Sequence, residues 1–374
     1  MNQPEACFFL GANTSQGFVG YMPASYSPAD GWRVYIIKSG PGSGKSTFMR
    51  RVWEAVTAAA AVESEFLYCS SDPRSLDGVR FPTLKTAIFD GTAPHVLEPR
   101  YWGACETVVD IGGCADNSLL FQNAAAIREA TDACAERHAR CRGYLATAAS
   151  LLEDSRRIAA RCTDEEKVRR TARRLCEQEC SARDRVGTED RRFLSALTPD
   201  GPMVWYSTLQ ALCPRIYVIE DEYGAAGNIL LHELRDRALA RGARLITCAC
   251  PLDPTEKIEH VLLPEEGVGF TLSNPWHKAD FPVYRRIHAA RFTMEDALAQ
   301  KRQRLAFNRR AARELLNEAV SCAAEAKTVH DEMERFTVQA MDFEAVDRLR
   351  EKVTAEIVKS MKNRLQKYGE DDTL

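Results

Sequence analysis

Arg33-Val34-Tyr35-Ile36-Ile37-Lys38-Ser39-Gly40-Pro41-Gly42-Ser43-Gly44-Lys45-Ser46-Thr47-Phe48-Met49-Arg50 is the stretch on which the fold of this chain turns. A β-branched and aromatic run reads as a buried strand, three glycines in five residues force a tight loop, and Lys-Ser-Thr opens an apolar-periodic helix. Strand, glycine loop and helix in this order predict a phosphate-binding loop. Its backbone N–H groups turn inward at the positive end of a helix, so polyphosphate is held by dipoles as well as charge. Gly40, Gly42, Ser43, Gly44, Lys45, Ser46 and Thr47 are the expected nucleotide contacts. Lys45 reaches the β- and γ-phosphates, and the Ser46 hydroxyl joins the Mg²⁺ shell. The usual pattern begins with glycine six residues before the lysine, where this chain has Ser39; Gly40, Gly42 and Gly44 still supply the unusual dihedrals.

Outside this loop the composition bounds the answer. The chain has 374 residues, 45% of them hydrophobic and 28% charged, with a net charge of −3. That length predicts two or three domains, and the charge gives no global basic field for nucleic acid or an anionic membrane. No apolar run reaches the roughly 18 residues of a membrane span. Thirteen cysteines without paired zinc spacing, behind an N-terminus with no charged leader, predict a cytoplasmic protein whose thiols act as small apolar groups. The pairs Cys176/Cys180 and Cys248/Cys250 are spaced to share a helix face and a strand face, and either could bind metal or respond to redox state.

The chain also says the same thing twice. Arg33-Val34-Tyr35-Ile36-Ile37-Lys38 returns as Arg215-Ile216-Tyr217-Val218-Ile219-Glu220, an offset of 182 residues. Phe9-Leu10 with its Thr and Gly is answered by Phe193-Leu194, Cys69 and Asp72-Pro73 by Cys250 and Asp253-Pro254, and Phe81-Pro82 by Leu263-Pro264. Matching blocks in constant order predict an internal duplication. At that offset Lys45 falls on Gly227 and Ser46 on Asn228, while the loop falls on residues 221–226, which include Asp221 and Glu222. The second half is therefore expected to be a degenerate P-loop-like module that repels nucleotide.

Among acids, Asp90 ends an apolar run and fits a Walker B carboxylate holding Mg²⁺, so Lys45 and Asp90 are the expected catalytic pair and Ser46 and Asp90 the metal ligands. The matching place in the second half has no acid. Two rivals exist. Val108-Val109-Asp110-Ile111-Gly112-Gly113 resembles a GTPase switch, but no guanine-reading Asn-Lys-x-Asp occurs, which favours ATP. Ile219-Glu220-Asp221-Glu222 could be a Walker B separated from Lys45 by a helical insertion, making one split domain. His95 and His277 close equivalent blocks and read either as water-orienting or as structural. Asp72 and Asp77 lie near an Asp-Pro turn and could approach Mg²⁺.

Each module runs into Ala/Glu/Arg/Leu-rich helix, with Thr163 and Asp342 as expected caps. The fold class expected is α/β, a tandem of duplicated P-loop modules each followed by a long helical hairpin. The boundaries are 1–116 and 189–288 for the modules, 117–188 and 289–368 for the hairpins, and 369–374 for a tail that frays. Arg156, Arg157, Arg161, Arg169, Arg170, Arg173 and Arg174 read as a solvated strip, with an arginine finger or a surface for an anionic partner as the alternatives.

Phe9-Leu10-Gly11-Ala12-Asn13-Thr14, the P-loop segment, Asp90-Gly91-Thr92-Ala93-Pro94-His95 and Cys250-Pro251-Leu252-Asp253-Pro254 together resemble an uncharacterised family of tandem P-loop ATP-binding proteins from Firmicutes and related spore-formers. The resemblance covers nearly the whole chain and implies ATP binding in a tandem fold. Both halves of that family can carry an intact P-loop, and this chain departs by losing the second. The function expected is a Mg-dependent NTPase hydrolysing ATP slowly. A small-molecule or nucleotide kinase, or an ATP-gated switch acting on a protein partner through the hairpins, is the alternative.

Overall fold

Residues 34–37 and 216–219 have no polar face, and a strand without one must be covered on both sides. In the computed structural model of the protein, which describes residues 6–371, each run lies inside its own six-stranded sheet with a parallel neighbour on either hand. The chain forms β1 (Ala6–Phe9), a hairpin of β2 (Gly11–Thr14) and β3 (Gly17–Gly20), then β4 (Arg33–Lys38), α1 (Lys45–Ala59), β5 (Glu65–Tyr68), β6 (Leu76–Phe81), β7 (Thr86–Asp90) and β8 (Glu106–Asp110). The strands stand in the order β1-β5-β6-β7-β4-β8, and only β6 is antiparallel to its neighbours.

After α2 (Asn117–Gln122), α3 (Ala124–Ala160) and α4 (Glu165–Glu179) come β9 (Thr188–Arg192), a hairpin of β10 (Ser195–Thr198) and β11 (Gly201–Val204), α5 (Tyr206–Leu212), β12 (Arg215–Glu220) and α6 (Ala225–Ala240). Next follow β13 (Arg244–Cys250), β14 (Asp253–Leu263), β15 (Val268–Ser273) and β16 (Arg285–His288). The second sheet has the order β16-β12-β15-β14-β13-β9, with β14 alone antiparallel. From its β9 edge it matches the first sheet strand for strand. The central registers keep the 182-residue offset, since Ile37 faces Asp90 as Ile219 faces Leu272. Because β12 belongs to the second sheet, Glu220 and Asp221 do not share a sheet with Lys45, and the single split domain is excluded.

The helices close the chain with α7 (Glu295–Ala299), α8 (Arg302–Ala340) and α9 (Phe343–Asp371). Two compact units result. Unit 1 holds the chain through Leu10, Met22–Arg137 and the chain from Glu325; unit 2 holds Gly11–Tyr21 and His138–Ala324. In unit 1, Phe48, Met49, Val52 and Val56 of α1 pack between the sheet residues Tyr35, Ile37 and Ile88 and the α9 residues Val346, Val353 and Ile357. In unit 2, Leu230, Leu231 and Leu234 of α6 pack between Tyr217, Ile219 and Phe270 and the α4 residues Val168, Ala172 and Leu175. Each such side chain contributes about 1.5–3 kcal/mol through burial. The last helix of each hairpin is thus a layer of a sheet core.

Three local expectations change. Asp164, not Thr163, caps α4, accepting the Lys167 N–H at 3.0 Å; Asp342 does cap α9, through the Ala345 N–H at 2.9 Å. Gly369–Asp371, expected in the frayed tail, form the end of α9, and 372–374 lie outside the described residues. The third is the second loop, which is two residues shorter than the first. Gly44 caps α1 at φ 83° and Gly224 caps α6 at φ 72°, so Ala225 and Ala226, not Gly227 and Asn228, stand where unit 1 has Lys45 and Ser46.

Asp221 explains why the shortened loop holds together. One of its oxygens accepts the N–H groups of Tyr223 at 3.1 Å and Gly224 at 2.9 Å, and the other accepts that of Gly227 at 2.7 Å. Three donors at the start of α6 are satisfied by the chain's own carboxylate. Asp221→Ala is expected to destabilise the protein by about 3 kcal/mol, because buried N–H groups lose their acceptor. The check is urea unfolding, and Asp221→Asn, which keeps one acceptor oxygen, should lose less.

Candidate functional site

At the carboxyl end of β4 the backbone of unit 1 turns through Gly42 at φ 75° and Gly44 at φ 83°, left-handed conformations that side chains disfavour. A Cβ on Gly42 would also stand 2.7 Å from the Glu334 carbonyl oxygen, so this position has no room for another residue. Ser43 is buried and donates its hydroxyl to the Gly40 carbonyl at 2.8 Å, tying the loop across itself. Thr47 is exposed in the first turn of α1.

Lys45 folds back over this loop, donating to the carbonyls of Ser39 at 3.2 Å and Gly40 at 2.7 Å. Its ammonium lies 3.5 Å from the carboxylate of Asp90, which ends β7 beside β4. The other Asp90 oxygen accepts the Thr92 N–H at 2.9 Å. The Ser46 hydroxyl accepts the Leu76 N–H at 3.0 Å, which leaves one lone pair for a cation. The lysine, serine and aspartate expected to act together therefore start from one corner of the sheet.

One loop amide already handles an anionic oxygen. Glu334, on α8, accepts the Gly42 N–H at 3.2 Å. A carboxylate oxygen is here in the chemical position of a phosphate oxygen, so the cradle fits an anion. Ser46 and Asp90 offer oxygen ligands of the kind Mg²⁺ takes.

Behind Asp90 is a buried cluster. His95 Nε2 lies 3.1 Å from Asp77, and the ligand atoms of Cys69, Asp77 and His95 are all within 4.8 Å of one another. Asp77 sits on β6 and faces Asp90 because β6 runs antiparallel, bringing its start to the end of β7. Burial pushes the Asp77 carboxyl up to about 6; His95 opposes the shift and Asp90 adds to it. Unit 2 repeats the pair, with His277 3.3 Å from Glu259, again 182 residues on, beside Cys250. An acid–histidine pair is therefore a feature of both sheets, and in unit 2 it stands without counterparts of Ser46 and Asp90.

Other candidates fall elsewhere. Asp110 caps the turn after β8 through the Gly113 N–H, and Asp72 holds Ser75 at 2.7 Å and lies 3.6 Å from Lys327. The arginine strip belongs to unit 2, where Arg156 and Arg157 pair with Glu153 and Arg169 with Glu165 and Glu233. All cysteines are free thiols, and Cys176, Cys180, Cys248 and Cys250 are buried. Glu334 had no sequence signal, since it acts on a loop 292 residues away. Among the described residues no helix is long and apolar enough to cross a membrane. No protein-family model matches the chain, and no curated protein or solved structure matches it either.

Asp77 titrates with a definite sign. Its folded value is raised above the ordinary carboxyl value, so the stability it contributes is fully present below about pH 4 and is lost as pH rises through about 6. Asp77→Asn should remove that fall. The stability difference between the parent and the variant, followed by urea unfolding from pH 4 to 7, is expected to shift against the parent by on the order of 2–3 kcal/mol.

Proposed function

We propose that unit 1 is a Mg-dependent ATP-binding P-loop module that hydrolyses ATP slowly, and that unit 2 is a related P-loop-like module that has given up the nucleotide. The observation that carries this reading is the meeting of Lys45 and Asp90 at 3.5 Å, beside a glycine loop whose Gly42 amide already holds a carboxylate oxygen. Bound Mg²⁺ supplies a Lewis acid that neutralises charge on the phosphates. Ser46 and Asp90 would hold it. The residues of the chain do the rest: loop amides from Gly42 to Ser46 orient the phosphates, and Lys45 exchanges its carbonyl partners for phosphate oxygens.

Measuring ATP affinity by calorimetry tests the reading. Lys45→Ala is expected to weaken binding at least tenfold, on the scale of a lost charge-assisted hydrogen bond. Unchanged affinity would overturn it.

Glu334 favours a second reading on the same site, an ATP-gated switch. Phosphate entering the loop competes with a carboxylate on α8, so occupancy would free that helix segment to rearrange for a protein partner. Glu334→Gln removes a negative charge from the cradle and should tighten ATP binding several-fold. Weaker binding would show that Glu334 supports the nucleotide instead. Release of ADP by the parent protein separates slow hydrolysis from a switch that binds without turnover.

A further inference from the structure

Unit 2 has a cavity of about 460 Å³ beside the start of α6, the corner where unit 1 has its phosphate loop. That is the size of a pocket for a drug-sized molecule. Its walls are mostly apolar, with Leu152 of α3, Leu197 and Met203 of the β10–β11 hairpin, Leu252, Trp276 and Leu305. Every residue that lines it belongs to unit 2.

The polar groups narrow what could enter. Phosphate finds three amides of this corner, those of Tyr223, Gly224 and Gly227, already taken by Asp221. An anion of any kind finds no surplus positive charge. Arg156 is held by Glu153 at 2.6 Å and Arg309 by Glu222 at 2.7 Å, and Lys257 has Glu259 at 4.0 Å, while Asp253 adds a further negative group. A cation fares no better at Glu259, whose oxygens are occupied by His277 at 3.3 Å and the Ser195 hydroxyl at 2.7 Å, and Asp253 accepts the Glu256 N–H at 3.2 Å and the Thr255 hydroxyl at 3.4 Å.

Lys257 differs from the other cations. It comes from β14 and lies against Gly224, its Nζ 3.5 Å from where a Cβ would stand. Its carboxylate partner is beyond hydrogen-bond distance, so the ammonium keeps donors for something else. Burial works against its charge, but Cys250, Glu259, Asp221 and Asp253 outweigh that and keep it protonated.

We propose that this cavity binds an uncharged small organic molecule, with an apolar body of about two fused rings and a carbonyl- or hydroxyl-type acceptor that takes a hydrogen bond from Lys257. The site lies within unit 2, and its binding is proposed without reference to ATP in unit 1.

The test titrates the full-length protein with two naphthalene fluorophores of similar bulk. Prodan is neutral and carries a ketone whose emission moves to the red when it accepts a hydrogen bond; 1-anilinonaphthalene-8-sulfonate is an anion. Prodan is expected to bind saturably at one site per chain and at least tenfold more tightly than the sulfonate. Lys257→Met, which keeps the apolar stem, should shift bound prodan emission to the blue and weaken binding roughly tenfold, the scale of one hydrogen bond to a charged donor. Ala149→Trp, which fills the cavity from α3, should abolish saturable binding. Should that variant fail to fold, Ser150→Phe takes its place, and the Lys257→Met emission shift stands independently of both. Absence of saturable prodan binding, equal or tighter sulfonate binding, or emission indifferent to Lys257→Met would each overturn the proposal.

Discussion

A helix that begins at a left-handed glycine presents several backbone N–H groups with no partner inside the helix, and they must be given an anion, a side chain or water. The two units meet this constraint differently. In unit 2 the carboxylate of Asp221, the first residue after β12, turns back into the loop and takes three amides. Unit 1 has no acid at that place. Its sequence there is Ser39-Gly40-Pro41, and the Gly42 amide reaches out to Glu334 on α8. Asp221 belongs to the loop it caps, whereas Glu334 comes to its loop from a separate helix. The two corners differ in which segment supplies the oxygen.

A second constraint recurs in both sheets, on the antiparallel strand. A carboxylate buried there is costly unless it is neutral or paired. Unit 1 uses the shorter Asp77, which has His95 at 3.1 Å and Cys69 close by, and burial wins, raising its carboxyl to about 6. In unit 2 the longer Glu259 accepts the Ser195 hydroxyl and lies near His277 and Lys257; burial works upward there too, but His277 and Lys257 outweigh it and hold the carboxyl well below the usual range. His260, fully buried, is itself held neutral, pushed down to about 3 by that burial. The same position is thus pushed up in unit 1, where burial dominates, and held down in unit 2, where His277 and then Lys257 oppose the burial.

Much of this was legible in the sequence, for local reasons. A run such as Val34-Tyr35-Ile36-Ile37 followed by Gly-rich loop and Lys-Ser needs no distant information to be a strand, a tight turn and a helix start, and Asp90 ended its strand as an apolar run followed by an acid implies. Repetition at a constant offset was visible because paired strands tolerate no insertion without flipping their faces. Loops do tolerate it, and that is where a constant offset failed, with the second loop two residues short and Gly224 rather than Ala226 at the cap. Contacts made by α8 and α9 were invisible for another reason. Their helical periodicity shows an apolar stripe, but nothing in a stripe says which sheet it will cover, nor that Glu334 would meet Gly42. The cavity of unit 2 was hidden likewise, since Ala149, Met203, Trp276 and Leu305 come together only through the fold.

Each corner has a lysine, but on a different element. Lys45 projects from the first helical residue over its own loop, where its partners are carbonyl oxygens and one carboxylate. Lys257 arrives at the equivalent glycine from the antiparallel strand, where it is surrounded by Cys250, Glu259, Asp221 and Asp253. A positive charge at this end of the sheet is thus common to both units, and its surroundings decide what it can do. With open amides beside it, the charge adds to a field that favours phosphate. With those amides filled and acids on every side, the same charge is neutralised at long range and keeps only its short-range hydrogen-bond donors. Such a group discriminates by geometry rather than by charge.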